Sequence, residues 1–345
     1  MAPGRALPAH LLALMVAGLA GCAAAPGADV IAADGALCDI SRRLAAEDLR
    51  VSCLLGPGDD PHQVQLRPDQ SRRLRQAPLL LINGYGLTPA LERLPAAVRV
   101  AELAVPESPR LSPADQRGAP HPGAEQAPLA GPAKGPGLGD AAQDASHDAS
   151  HDHPISGDRD PHVWHDPRQA AAVVELVSRR LQALRPQAAA RIQARSLALQ
   201  ASLSALDRWN REQIATIPQP RILASGHRAF ASLARAYGLS ELAVLDAGSA
   251  STSLRPQGLA DGVDQLRRGR VRALFSERLP ASRSLRRISA LSGVPIAPAA
   301  LPADHGGDDL MATLTANTCL ISQQLGGRCD QADRQRLLRD WRAIH

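Results

Sequence analysis

Aromatic and lysine side chains are scarce in this 345-residue sequence. Phe, Trp and Tyr together make up 2% of the residues, which argues against a base-stacking surface for single-stranded nucleic acid. Lys134 is the only lysine, so almost every positive charge behind the formal net charge of +5 belongs to an arginine. These arginines are scattered over predicted helices near Asp or Glu, a pattern typical of solvated helix faces. The sequence therefore predicts no nucleic acid partner.

Apart from its amino terminus, the sequence has no apolar run near the ~18 residues of a membrane-spanning helix. The terminal run, Leu11 to Leu19, is too short to span, follows Arg5, and leads into Leu19-Ala20-Gly21-Cys22. This pattern resembles a bacterial lipoprotein signal, in which cleavage before Cys22 leaves its thiol acylated. We predict a signal peptide over 1–22 and an exported, lipid-anchored protein in the periplasm or on the outer face of the cytoplasmic membrane. An ordinary secretory signal with an unmodified Cys22 is the alternative.

The five cysteines contain no CxxC spacing, which argues against a thiolate zinc site. If Cys22 carries lipid, four cysteines remain, and an even number in an oxidising compartment indicates disulfides, with three pairings open. The local pairing is favoured, which joins Cys38 to Cys53 and Cys319 to Cys329. In the chain-entropy model, a closed loop of about 15 residues stabilises a fold by about 3 kcal/mol.

Short β-rich runs alternate with amphipathic segments, which predicts an α/β fold of two lobes, each with a parallel-rich sheet flanked by helices. The first lobe is expected over 28–185 and the second over 218–345. Residues 186–217 between them indicate one long rigid helix, because their apolar stripe continues until Pro218. Such a connector favours small hinge motions over wide closure.

Several predicted elements lie close to candidate functional residues. A strand is expected over 98–103, a helix over 228–237 that begins beside His227, and a strand over 294–297. A helix start beside His227 would favour neutral imidazole, the state that binds a metal.

Four residues at or just beyond the end of a predicted strand or loop have side chains suited to a metal ion. They are His62 in GPGDDPHQVQ, His162 in DPHVWHDP, His227 in SGHRAF and Asp304 in ALPADHGG. Ligands of parallel α/β sheets bind at the carboxyl ends of strands, so these four side chains are expected to meet in one cleft. Only one histidine of DPHVWHDP is expected to bind metal, because i and i+3 point in different directions in an extended segment. Taken singly, His62 and Asp304 are typical of solvated loop residues, and His162 and His227 are explained equally well by a hydrogen-bonded side chain or a helix cap.

The segment 106–160 differs in composition from the rest of the chain. It is dense in Pro, Gly, Ala and Asp, and it contains His147, His151 and His153 in SHDASHDH. A loop of this length is either functional or disordered. Imidazoles alternating with carboxylates can hold a divalent cation loosely, so we predict a disordered, metal-capturing arm, with an inert linker as the alternative.

Seven segments, in order over nearly the whole mature chain, carry a family resemblance. They are PGDDPH (57–62), LLINGYGL (80–87), DPHVWHDP (160–167), GHRAFASLARAYGL (226–239), STSLRPQGLADGVDQLR (251–267), VRALFSE (271–277) and LPAD (301–304). The sequence is similar to the zinc and manganese solute-binding lipoproteins of bacterial ABC transporters, the cluster A-I family. This resemblance implies two lobes bridged by a helix, with a metal ion held in the cleft between them.

The resemblance also implies a ligand set. His62 and His162 match the two ligands of the first lobe, His227 matches the third, and Asp304 matches the carboxylate of the last motif. The resemblance further places a His-rich loop before the second ligand in zinc importers, where 147–153 lies. Two departures from the family pattern are Gly226, where Ser is common, and the atypical stretch 302–307 around Asp304.

These departures leave the fourth ligand open. Glu277, Asp308 or a water molecule are the alternatives to Asp304. Manganese-preferring members typically carry a carboxylate at the third position, whereas three imidazole nitrogens suit Zn²⁺ better than the harder Mn²⁺.

The function implied by the resemblance is capture of Zn²⁺ and its delivery to an ABC-transporter permease by a monomeric, non-enzymatic carrier. A manganese-binding or adhesin-type member of the family is one alternative. A secreted zinc hydrolase with Asp304 or Glu277 as base is another, although the sequence contains no HExxH motif.

Overall fold

The computed structural model describes residues 28–56, 58–111, 159–245, 256–304 and 309–345. Its strands are β1 (Val30–Ala32), β2 (Val51–Cys53), β3 (Leu79–Ile82), β4 (Ala97–Arg99), β5 (Ile222–Ser225), β6 (Ser240–Ala243) and β7 (Leu274–Phe275). They form one sheet in the order β2-β1-β3-β4 and another in the order β6-β5-β7. Every pairing between these strands is parallel. The prediction of an α/β fold with parallel sheets is confirmed.

Helices cover both sheets and connect them. They are α1 (Gly35–Ala45), α2 (Pro68–Gln76), α3 (Pro89–Glu92), α4 (Val100–Ala104), α5 (Pro167–Leu184), α6 (Ala189–Ala215), α7 (Ala231–Tyr237), α8 (Pro256–Arg268), α9 (Arg283–Ser292), α10 (Leu310–Gln324) and α11 (Gln331–Arg342). The long helix expected over 186–217 is a 3₁₀ turn, Pro186–Ala188, followed by α6. No helix in the described ranges is long and apolar enough to cross a membrane.

Three predicted elements differ from the structure. The strand expected over 98–103 ends at Arg99, where α4 begins, and this turn of the chain lets Glu102 accept a hydrogen bond from Tyr85 N (2.9 Å). The helix expected from 228 begins at Ala231, so the idea that His227 starts a helix is wrong. The strand expected over 294–297 is reduced to a single bridge between Ile296 and Leu274. In each case tertiary contacts decide the boundary rather than local propensity.

The last two helices return to the first sheet. Leu310, Leu314 and Trp341 belong to the same apolar cluster as residues of β1, α1, α5 and α6. Asp39 on α1 fixes this return, because its Oδ2 accepts hydrogen bonds from Leu310 N (2.9 Å) and Trp341 Nε1 (3.0 Å). The carboxyl-terminal segment, expected within the second lobe, therefore packs in large part on the first core.

Two cysteine pairs lie at disulfide distance in the local pairing expected from the sequence. Cys38 and Cys53 join α1 to the end of β2 with a Cα separation of 5.5 Å. Cys319 and Cys329 join α10 to the segment before α11 with a Cα separation of 5.0 Å. Both separations fall in the ordinary range for a disulfide.

Gly84, in the loop after β3, gives a test of this fold. Its φ is +95°, and a Cβ there would lie 2.8 Å from Glu102 Oε1, an atom already held by Tyr85 N. Gly293 has a similar φ of +77°, but a Cβ there would meet no atom within 4 Å. Both Gly→Ala changes incur about 1–2 kcal/mol for the left-handed backbone, and Gly84→Ala adds a steric overlap. We expect Gly84→Ala to lower the free energy of urea unfolding by at least about 1 kcal/mol more than Gly293→Ala; equal losses would contradict this placement of Glu102.

Candidate metal centre

The four residues selected from the sequence come together between the two sheets. His62, His162, His227 and Asp304 each offer one ligand atom, and these atoms lie within 4.8 Å of one another. Nε2 of His162 lies 3.2 Å from Asp304 Oδ1, and Nε2 of His62 lies 3.9 Å from the same oxygen. The three imidazole centroids are 5.6 to 5.9 Å apart. Side chains that lie far apart in the sequence thus face a single point.

His62 lies on the more open side of the cluster. It sits in a 3₁₀ turn after β2, where Asp60 Oδ1 accepts a hydrogen bond from His62 N (2.9 Å). Arg278, from the loop after β7, donates a hydrogen bond from Nη2 to Gly58 O (3.0 Å) and so holds this loop from the opposite sheet. The His62 side chain is 35% exposed. Burial and the nearby charge of His162 lower the pKa of His62, which favours its neutral, metal-binding form.

His162 is the most constrained member of the cluster, with 1% of its side chain exposed. Its Nδ1 lies 3.0 Å from Asp160 Oδ1, and the same oxygen accepts a hydrogen bond from His162 N (2.9 Å). Asn83 Nδ2, after β3, donates to Pro161 O (2.6 Å) and fixes the preceding peptide. With Nδ1 held by Asp160, Nε2 points toward Asp304, as expected for a metal-binding histidine oriented by a carboxylate.

Opposing effects act on the charge of His162. Burial disfavours its protonated form, but the hydrogen bond to Asp160 and the negative charges of Asp160 and Asp304 outweigh burial and raise the pKa of His162 to about 10. Burial likewise opposes the charge of Asp304, yet His162, His62 and His227 lower the pKa of Asp304 to about 2. Without a bound cation, the cluster therefore holds a proton on His162 at neutral pH.

His227 lies in the loop between β5 and α7. Its Nδ1 contacts Glu277 Oε1, which follows β7 on the adjacent strand. The sequence left Glu277 open as a fourth ligand or a base, but the structure places it against the ring nitrogen that faces away from the cluster. Nε2 of His227 is left to face His62 and His162.

Asp304 is carried by a loop whose backbone is fixed at successive positions. Leu301 N donates to Ser276 O (2.8 Å), and Asn317 Nδ2 donates to Pro302 O (2.8 Å). His165 Nε2 lies 2.9 Å from Ala303 O, and burial, with the charge of His162, lowers the pKa of His165 to about 4, so it remains neutral. The second histidine of DPHVWHDP therefore contacts the Asp304 loop, and of the two histidines only His162 lies in the cluster.

Three atoms of the cluster are buried without a hydrogen-bond partner. They are Nε2 of His162, Nε2 of His227 and Oδ1 of Asp304. A buried polar atom left unpaired costs about 1–3 kcal/mol, so three such atoms facing one another indicate a site built for a ligand. Imidazole nitrogens with one carboxylate oxygen are the donors that borderline divalent cations prefer.

The remaining candidate residues lie outside the described ranges. These are Cys22, the histidines of the predicted metal-capturing arm (His147, His151 and His153), and Asp308. The arm leaves and rejoins the described chain at one place, because Arg110 and Arg159 form an antiparallel bridge. Its ends therefore lie next to Asp160 and the His162 motif.

Comparison with known proteins identifies the family. The sequence pattern of the ZnuA family, described as zinc-uptake complex component A periplasmic, matches residues 30–324. The chain belongs to the ZnuA family. This confirms the family resemblance carried by the seven segments.

Relatives of this ZnuA-family chain are named as metal-binding proteins, some of them for a particular metal. The metal-binding protein YtgA of Chlamydia pneumoniae is 30% identical over 185 residues, which are 49% of this chain and 56% of that protein. The chain thus spans little more than half the length of this relative. The manganese-binding lipoprotein MntA of Bacillus subtilis is 24% identical over 265 residues, 74% of this chain and 72% of that one.

Solved structures share the fold. The periplasmic zinc-binding protein TroA from Treponema pallidum superposes with a TM-score of 0.68 at 21% identity, covering 87% of this chain and 99% of TroA. Fe(III)-bound YtgA from Chlamydia trachomatis gives a TM-score of 0.69, also at 21% identity, covering 87% of this chain and 99% of that one. These likenesses confirm two α/β lobes joined by a long helix.

The charge state of His162 predicts proton release on metal binding. A metal needs a neutral ring with Nε2 free, so at pH 7 it must displace the extra proton that the charges of Asp160 and Asp304 favour on His162. We expect Zn²⁺ to release about one proton per ion and its affinity to rise about tenfold per pH unit near neutrality. Calorimetry in buffers of different ionisation enthalpy measures this number. Asp160→Asn should release fewer protons, because His162 loses a charged partner. If the unaltered protein releases no proton on binding Zn²⁺, the assignment of a protonated His162 is contradicted.

Proposed function

We propose that this chain is an exported zinc-binding protein that captures Zn²⁺ and delivers it to the membrane permease of an ABC transporter. The observation that carries the proposal is the convergence of three imidazole nitrogens and one carboxylate oxygen within 4.8 Å. Membership of the ZnuA family supports transport as the purpose of that site.

The donor set supports Zn²⁺ over the other metals named among the relatives. Zn²⁺ is commonly bound in tetrahedral geometry by His nitrogens and carboxylate oxygens, whereas Mn²⁺ prefers a shell richer in oxygen. His227 supplies a nitrogen at the third position, and its neighbour Glu277 is engaged with the outer ring nitrogen. Family membership alone leaves the choice open, since relatives are named for manganese and iron as well as zinc.

The same donor set favours carriage over catalysis. Four protein ligands saturate a tetrahedral zinc ion, so no position remains for the activated water of a hydrolase. Glu277, the carboxylate nearest to His227 across the loop, contacts the imidazole and is thereby occupied.

Delivery of Zn²⁺ requires the shell of four ligands to open. His62 and His162 come from the proposed first lobe (28–185), His227 and Asp304 from the proposed second (218–345), with the linker 186–217 between them. A small separation of the lobes would therefore remove ligands from the metal in pairs. We propose that contact with the permease drives this separation, and that lipid on Cys22 keeps the monomeric carrier close to the membrane.

Metal analysis of the purified protein tests the proposal. We expect one Zn²⁺ per chain, retained against an excess of Mn²⁺. His62→Ala, His162→Ala and His227→Ala should each weaken zinc binding by more than about 100-fold, since loss of a partner outside the ligand shell already costs about 10–100-fold. His345→Ala, a change at an exposed position, serves as the control.

Three outcomes would overturn parts of this function. Retention of Mn²⁺ in preference to Zn²⁺ would refute the choice of metal. Growth of a deletion strain that is independent of zinc supply would refute import and favour an adhesin, while ester hydrolysis by the zinc-loaded protein would favour an enzyme.

A further inference from the structure

Glu241, on β6, contacts the loop that carries His227. Its Oε1 accepts hydrogen bonds from two successive backbone groups, Ala229 N (3.0 Å) and Phe230 N (2.7 Å). These are the last two residues before α7, a helix whose N-cap residue, Phe230, has no side-chain capping bond of its own. A carboxylate from the neighbouring strand thus satisfies amide groups at a helix start that would otherwise lack partners.

β6 fixes the other end of the same loop. Leu245 N donates to Gly226 O (2.9 Å) and Val244 N donates to Ser225 O (3.0 Å), which extends the β5–β6 ladder beyond the strands. Ser225 Oγ also donates to His227 O (2.9 Å). Gly226 is thus held by Leu245 and Ala229 by Glu241. Only His227 and Arg228 lie between these two fixed residues.

The start of α7 also connects His227 with His162. Asp160 Oδ2 accepts a hydrogen bond from Ser232 N (2.8 Å), while Asp160 Oδ1 contacts His162 Nδ1. Two carboxylates therefore hold amide groups on the two sides of the α7 start, Glu241 those of Ala229 and Phe230 and Asp160 that of Ser232. Burial, together with the charge of Asp160, raises the pKa of Glu241 to about 7, so keeping a carboxyl group here has an energetic cost.

We propose that Glu241 is a positioning residue that holds the His227 loop so that His227 Nε2 faces the other ligands. This inference rests on the proposed metal-binding function and deepens it. Glu241 offers no ligand atom to the four-residue cluster; it acts through the backbone on the carboxyl-terminal side of His227. A metal site loses affinity steeply when its supporting residues no longer hold the ligands in place.

Substitution of Glu241 tests this role. We expect Glu241→Ala to weaken Zn²⁺ binding about 10-fold or more, because both hydrogen bonds are lost. Glu241→Gln should retain most of the affinity, since its amide oxygen can still accept from Ala229 N and Phe230 N. Glu212→Gln, at an exposed position on α6, should bind zinc as the unaltered protein does.

A double-mutant cycle with His227 separates positioning from general stability. If Glu241 acts through His227, Glu241→Ala will change zinc affinity less than about twofold in a His227→Ala background, and the two effects will be non-additive. The d–d absorption of Co²⁺-loaded Glu241→Ala should shift toward that of His227→Ala. Glu241→Asp, which keeps the charge but is one methylene shorter, provides the same cycle if the alanine variant does not fold.

Additive effects in the cycle, or zinc affinity unchanged in both Glu241→Ala and Glu241→Asp, would overturn the positioning role. A lower unfolding temperature of the metal-free variant with unchanged zinc affinity would do the same. Failure of the unaltered protein to bind any divalent metal would instead refute the proposed function itself.

Discussion

The Asp160 carboxylate is the contact on which the arrangement of the site depends. One of its oxygens orients His162, and the other accepts from Ser232 N at the start of α7. The buried Asp160 side chain therefore links His162, in the first half of the chain, to α7, which follows His227 in the second half. The hydrogen bonds that Asp160 accepts lower its pKa despite burial, so this link stays charged at neutral pH.

The charges and unpaired buried atoms of the cluster favour a bound cation. His162 and His227 disfavour a positive charge on His62, while Asp160 and Asp304 favour one on His162, so without a cation the proton lies on His162. A divalent cation at this site would replace that proton and give partners to the buried atoms that lack them. Asp160 and Glu277 contact the outer nitrogens of His162 and His227, so that the inner nitrogens remain directed at the centre of the cluster.

The sequence predicts the ligands better than their supports. Ligands lie at the carboxyl ends of strands in a parallel sheet, so His62 after β2 and His227 after β5 could be found from position and residue type. His162 follows the segment 106–160 instead, and the DPHVWHDP string marks it. Glu277, an acidic residue after a strand, has the same signature as His62 and His227. Only the geometry shows that it contacts Nδ1 of His227, the ring nitrogen that faces away from the cluster. Glu241 carries no signal at all, since its role depends on the register that sets it opposite Leu223. The early start of α4 and the late start of α7 likewise depend on contacts between distant segments.

The connections between the halves limit how the site can open. α6 is one link, but α10 and α11 cross back as well, and Asp39 fixes them to α1 through Leu310 N and Trp341 Nε1. Thr318 on α10 donates to Asn210 on α6, which in turn donates to Tyr237 on α7 (2.9 and 3.1 Å). Wide opening would break these buried hydrogen bonds, each of which costs about 1–3 kcal/mol to leave unpaired. A small separation of the lobes that leaves these bonds intact is therefore favoured over wide opening.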